Sequence, residues 1–156
     1  MSQPLLILCF GNPLAGDDAF GFLVASQLAA LHNPRLHVVD LSRESPSAML
    51  DHLDSQPALV IVDAVSGPDI APGQLIDIDW HAPGRPSLVH DSALSTHGLS
   101  VANQLELAAR LGMLPASIRL IGAGIADTAI GAAPSPAIPA AAAEAVKRIL
   151  NLAGQP

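Results

Sequence analysis

The chain has 156 residues, half of them apolar and 13% charged, which excludes a disordered chain and suits one domain spanning 1–156 around its own core. Seven basic residues face fourteen acidic ones, a net charge of −7, with no basic stripe, one Trp and no Tyr. This pattern argues against nucleic acid and anionic membrane as partners. No apolar run reaches the roughly 18 residues of a membrane span. The start, Met1-Ser2-Gln3-Pro4, lacks the positive stretch of a signal peptide, and the single Cys9 forbids an intrachain disulfide. The expected location is the cytoplasm.

Residues 5–10 are continuously apolar, as in a strand buried on both faces. A Gly11-Asn12-Pro13 turn follows, then Asp17 as N-cap of a helix over about 18–32, with Phe20, Leu23, Val24, Leu28 and Leu31 in helical spacing. Asn33-Pro34 stops it. Residues 36–41 read as a second strand. Ser45-Pro46 opens a helix to about Asp54, with Ser as cap and Pro at the first helical position. Residues 58–64 form the most apolar strand. Turn signals at Ser66-Gly67-Pro68-Asp69 and Pro72-Gly73 separate it from a strand over 74–79. The alternation Leu75, Ile76, Asp77, Ile78, Asp79 marks an edge strand with one wet face. Residues 80–94 are irregular. A helix over 98–111, a strand over 118–122, a Gly/Pro-rich loop over 123–139 and a helix over 140–152 complete the chain. The order βαβαββαβα predicts a three-layer α/β/α sandwich with a mostly parallel sheet, strands one and three ending on the same rim.

Three polar points interrupt these apolar stretches: Asp17-Asp18 after strand one, Asp63 closing strand three, and His97 where a loop turns into a helix. Functional groups of open α/β sheets gather outside the carboxyl ends of the strands. Two carboxylates and an imidazole meeting there make a divalent-metal site with open positions. One Asp of the pair suffices as a cap, which leaves Asp18 available, and a cation would relieve the repulsion between neighbouring anions. An Asp at a buried strand end is costly unless paired or coordinated. The other histidines, His32, His37, His52, His81 and His90, match no chelating spacing, though His81 and His90 lie in a loop able to approach the rim. A phosphate loop is opposed by the missing Gly-Lys-Ser/Thr ending and by the two acids at the helix start. No Gly-x-Ser-x-Gly elbow exists and Cys9 has no base nearby in sequence, so a Ser or Cys nucleophile is poorly supported. Cys9 reads as a small core side chain.

The run Gly11-Asn12-x-Leu14-x-Gly16-Asp17-Asp18-x-Phe20-Gly21, the strand end Val62-Asp63-Ala64 and Ser95-x-His97 resemble the hydrogenase maturation endopeptidases. These enzymes trim the C-terminus of the large subunit of nickel-iron hydrogenases. The strand Leu120-Ile121-Gly122 and the Pro-rich turn before the last helix are similar too. The resemblance implies a five-stranded sheet with one antiparallel edge strand. It implies that Asp18, Asp63 and His97 are the catalytic residues and together contact nickel, brought by the substrate precursor as a recognition handle. It also implies that Asp40 takes part in substrate selection. The chain departs from the family in reading Leu41-Ser42-Arg43 after Asp40, where Gly-Gly-Thr is common, and Gly98 after the His, where Gln is common.

The expected function is therefore a metal-dependent endopeptidase removing the C-terminal extension of a hydrogenase large-subunit precursor. Two alternatives are a self-sufficient metallohydrolase of small peptides or amides, and a non-enzymatic nickel-binding assembly factor.

Overall fold

Strands that are apolar along their whole length need cover on both faces, and here they take the middle of a sheet. A computed structural model of the chain describes residues 3–67, 69–83 and 96–154, with 96–100 as backbone only. Its strands are β1 (Leu5–Cys9), β2 (Leu36–Asp40), β3 (Ala58–Val65), β4 (Leu75–Asp79) and β5 (Ser117–Gly124), in the order β2-β1-β3-β5-β4. The first three pairings are parallel; β4 lies at the edge, as its alternating pattern predicts, and runs antiparallel to β5, as the resemblance implies. On its wet face Asp77 accepts from Arg119 at 2.6 Å and lies 3.7 Å from Arg148. Cys9 stands opposite both Asp40 and Val62, and Asp63 opposite Gly122.

Helices α1 (Phe20–Ala30) and α3 (Ala137–Gly154) cover one face, over Ile7, Val60, Val62 and Ile121. Helix α2 (Thr96–Arg110) and a 3-10 helix, Pro46–His52, cover the other, over Leu6, Leu8, Leu59, Ile61 and Ile118. The result is the expected three-layer α/β/α sandwich. No described helix is long and apolar enough to cross a membrane.

Several boundaries differ from the sequence reading. The helix expected from Asp18 starts as a 3-10 turn, Gly16–Ala19, and becomes α-helical at Phe20 without any side-chain cap. Asp17 fails to cap because its carboxylate is held by a distant loop. The segment read as a helix over 45–54 is 3-10, and Ser45 Oγ bonds Ser47 Oγ at 2.6 Å instead of capping. Helix α2 begins at Thr96, so His97 lies inside its first turn. Helix α3 begins at Ala137 and tolerates Pro139 because the first turn of a helix needs no intrahelical N–H donors. Strand β5 runs on to Gly124, which stays paired with Val65 and donates to the Gln74 carbonyl at 2.9 Å.

Topology positions the ends. The parallel strands β1, β2, β3 and β5 finish on one rim. Because α2 packs on the sheet and leads into β5, it runs against the strands and its first turn lies at that rim. Strand β4 returns to the opposite rim, where Trp80 N–H donates to the Ile118 carbonyl at 3.0 Å and His81 Nε2 lies 3.0 Å from the Pro115 carbonyl oxygen. His81 is therefore at the wrong end to approach the acids. His90, Ser95 and most of the irregular segment expected over 80–94 lie outside the described residues.

Candidate functional site

After β1 the chain keeps its place on the sheet through Phe10 N–H to the Val62 carbonyl, 2.9 Å, and then turns at Gly11. Gly11 has φ +126°, and a Cβ there would stand 2.2 Å from the Asp18 carbonyl oxygen, so only glycine fits. The turn delivers Asn12 N–H to Asp18, 3.1 Å from its carbonyl oxygen and 3.0 Å from Oδ2. The Gly11-Asn12 and Asp18 parts of the motif are thus one local device that fixes a buried carboxylate at the rim.

Asp63 is a second buried acid at this rim beside Asp18, 6% exposed, and Asp17 is a third. Side chains alternate along β3, with Val60, Val62 and Ala64 on the α1/α3 face and Leu59 and Ile61 on the α2 face. Asp63 continues the latter series. Its Oδ1 accepts from Ala64 N–H at 2.8 Å, and among the described residues nothing donates to Oδ2. Burial pushes its pKa well up, the nearby Asp18 charge pushes further, and the Ala64 bond only partly opposes them. The structure thus brings Asp18 and Asp63 within reach of each other's charge in a water-poor place. Such a pair is relieved by a proton or by a cation.

His97 sits in the first turn of α2, at the same rim and over the face that Asp63 shares; its side chain lies outside the described residues. Among the described residues no group of three His, Cys, Asp or Glu forms a metal site. Asp40 ends the edge strand β2. It is exposed, and its Oδ1 accepts from Ser42 N–H at 2.9 Å. It stands on the same rim, at the margin of the sheet. Cys9 is fully buried, and burial, then Asp40 and Asp63, push its thiol pKa far up. It is a core side chain without thiolate character.

Sequence reasoning missed the work of Asp17. Its buried Oδ2 accepts from Ala126 N–H at 2.7 Å, Asp127 N–H at 3.2 Å and Ser135 Oγ at 2.9 Å; its Oδ1 accepts from Ser135 N–H at 2.6 Å. Burial alone would raise its pKa, but these bonds, led by Ser135 N–H, outweigh it and hold the pKa below the ordinary carboxylate value. Beside it Gly16 has φ +55°, and a Cβ there would stand 2.3 Å from the Asp127 carbonyl oxygen. The loop over 125–136 is thereby fastened to the turn that carries Asp18. The one signal for this in the sequence is the doubled acid, since a single Asp suffices for a cap.

Comparison with known proteins places this geometry in context. A family model described as hydrogenase maturation protease matches residues 23–152. The hydrogenase maturating endopeptidase HybD from E. coli superposes with a TM-score of 0.82 at 22% identity, covering 96% of this chain and 91% of that one. The nickel-iron hydrogenase maturation protease HybD from Thermococcus kodakarensis gives 0.77 at 23% identity, covering 97% and 99%. HycI from Thermococcus kodakarensis KOD1 gives 0.69 at 25% identity, covering 98% and 94%. No match is found among curated protein sequences.

Proposed function

Because the chain belongs to the hydrogenase maturation protease family, we propose that it is an endopeptidase that removes the C-terminal extension of a nickel-iron hydrogenase large-subunit precursor, and that it recognises the precursor by the nickel already bound there. The observation that carries this reading is Asp63: a carboxylate buried at a strand end, with an oxygen that accepts no hydrogen bond among the described residues and a pKa driven up partly by Asp18. That environment suits a cation delivered by the substrate. Asp18 and Asp63 supply two oxygen donors, and His97, in the first turn of α2, supplies the imidazole. Three protein donors leave coordination positions for groups of the precursor. A cation there would favour the ionised form of Asp63 that burial and the Asp18 charge oppose. The scissile carbonyl is then held beside an attacking water at the rim. Asp40, exposed at the margin, is placed to contact the precursor and take part in its selection.

The test is mass analysis of a nickel-loaded precursor before and after mixing with the protein. The expected result is loss of a C-terminal fragment, with a nickel-free precursor left intact. Asp18→Asn, Asp63→Asn and His97→Ala each slow processing by at least about a hundredfold. Retained activity in any two of them removes the triad. Binding without shortening of the precursor identifies an assembly factor instead. Cleavage of generic peptides by protein that carries its own metal identifies a self-sufficient metallohydrolase.

A further inference from the structure

The two acids Asp18 and Asp63 reach the rim by different routes. Asp63 belongs to a central strand, and the ladder fixes its place: it stands opposite Gly122 of β5, with Val65 opposite Gly124. Asp18 belongs to no strand. It lies in the 3-10 turn Gly16–Ala19, where Asn12 N–H donates to its Oδ2 at 3.0 Å and its own N–H donates to the Ala15 carbonyl at 3.0 Å. Bonds within a turn set its shape; its placement against β3 needs ties to the sheet.

One tie comes from β1, through Phe10 N–H and the Val62 carbonyl at 2.9 Å. The other comes from the β5 side, and Asp17 makes it. The loop over 125–136 leaves β5 directly after Gly124, the residue paired with Val65. Ala126 N–H donates to Asp17 Oδ2 at 2.7 Å and Asp127 N–H at 3.2 Å. Ser135, just before α3, adds its N–H to Oδ1 at 2.6 Å and its Oγ to Oδ2 at 2.9 Å. Backbone bonds join the same two segments: Asp17 N–H to the Asp127 carbonyl at 2.8 Å, Gly16 N–H to the Ala132 carbonyl at 3.2 Å, and Gly131 N–H to the Leu14 carbonyl at 2.7 Å. Each of these groups donates to the Asp17 side chain, so an ionised carboxylate, which only accepts, satisfies them all, and its charge strengthens each bond.

We propose that Asp17 is a positioning residue for the processing reaction: by tying the turn of Asp18 to the loop that leaves β5, it sets the separation between the Asp18 and Asp63 carboxylates. The route is short. Asp18 follows Asp17 in the chain, Asp17 holds the loop, the loop continues β5, and β5 holds β3 in register at Asp63. With both its oxygens engaged by the loop, Asp17 acts through Asp18 and not on the substrate. Two carboxylates that share one ion need a fixed separation, and a misplacement of about 1 Å at a reacting centre can cost about a hundredfold in rate. This inference rests on the processing role proposed above and adds what holds its two acids in place.

A double-mutant cycle on cleavage of the nickel-loaded precursor tests it, at a temperature well below the Tm of every variant. Asp17→Asn lowers kcat/KM about ten- to a hundredfold in the parent background. In the Asp18→Asn background the same change costs less than about twofold, because the carboxylate it acts through is already gone. Leu28→Ala, a cavity in the core under α1 that also lowers Tm, leaves kcat/KM within about twofold. Should Asp17→Asn not fold, Ser135→Ala carries the same cycle, with a loss of about three- to fivefold in the parent and none beside Asp18→Asn. The Asn12 amide, which donates to Asp18 Oδ2, reports that carboxylate without turnover. Its hydrogen exchange, followed by NMR, quickens at least about tenfold more in Asp17→Asn or Ser135→Ala than in Leu28→Ala. An unchanged kcat/KM, or an equal loss in the two backgrounds, overturns the positioning and leaves the processing role standing. If the unaltered protein does not process the precursor, that role falls and the Asn12 amide decides alone: faster exchange upholds the positioning of Asp18, and unchanged exchange overturns it.

Discussion

Asp17→Asn is the sharpest perturbation of the rim, because it keeps the shape of the side chain and removes its charge and one acceptor. With the amide oxygen where Oδ2 was, the bonds from Ala126 N–H, Asp127 N–H and Ser135 Oγ survive without charge assistance. The amide nitrogen then faces the Ser135 N–H that had donated to Oδ1 at 2.6 Å. One buried donor left without an acceptor costs about 1–3 kcal/mol, and weakening three charge-assisted bonds adds roughly 1–2 kcal/mol. The expected loss is about 3 kcal/mol, or about 6–12 °C in Tm for a chain of this size. Urea unfolding at pH 7 and calorimetry measure it. The pH dependence gives a second reading. The folded-state pKa of Asp17 is depressed, so its contribution is present above the unfolded value of about 3.9 and is lost as pH falls through the folded value. The gap between parent and variant should therefore be full near neutrality and shrink in acid. A loss under about 1 kcal/mol at pH 7, or a gap that widens on acidification, refutes the clamp.

Asp63 has the opposite sign. Its folded pKa is raised, so its contribution is present below the unfolded value and is lost as pH rises through the folded one. Asp63→Asn should therefore have a higher urea midpoint than the parent at neutral pH, while losing processing; an equal or lower midpoint there contradicts the buried-charge account. Cys9, fully buried with its thiol pKa pushed up, should resist an aromatic disulfide reagent at pH 8 until the protein is denatured, and rapid labelling of the native protein would show the thiol to be accessible. Asp40→Ala removes one bond to Ser42 N–H on an exposed edge; stability should change by less than about 1 kcal/mol while KM for the cognate precursor rises, and unchanged kinetics on every precursor tested would exclude a selecting role.

Much of the architecture was legible because strand burial and helix periodicity are local. The continuous runs 5–10 and 58–64 read as strands buried on both faces and are central in the sheet, and the alternation at Leu75–Asp79 marked an edge strand, whose antiparallel direction only the resemblance implied. Helix starts were read less well. A cap depends on where a carboxylate goes after the chain has closed, and Asp17 finds four donors on Ala126, Asp127 and Ser135, more than a hundred residues away in sequence. His81 shows the same limit: composition alone left its rim open, and the return of β4 sends it to the Pro115 end.

The amino-acid order by itself determined which segments must be buried, which face of each strand is apolar, and that Asp18 and Asp63 interrupt apolar stretches at strand ends. Only the folded chain decided that those acids share one water-poor place. The pKa of Asp63 depends on burial and on the Asp18 charge, and both are sums over neighbours in space. The tertiary structure alone likewise gave Asp17 its partners and set Leu14 against the loop over 125–136. Spacing along a chain encodes periodicity, whereas electrostatic and hydrogen-bond energies depend on distances that exist only after the strands have paired.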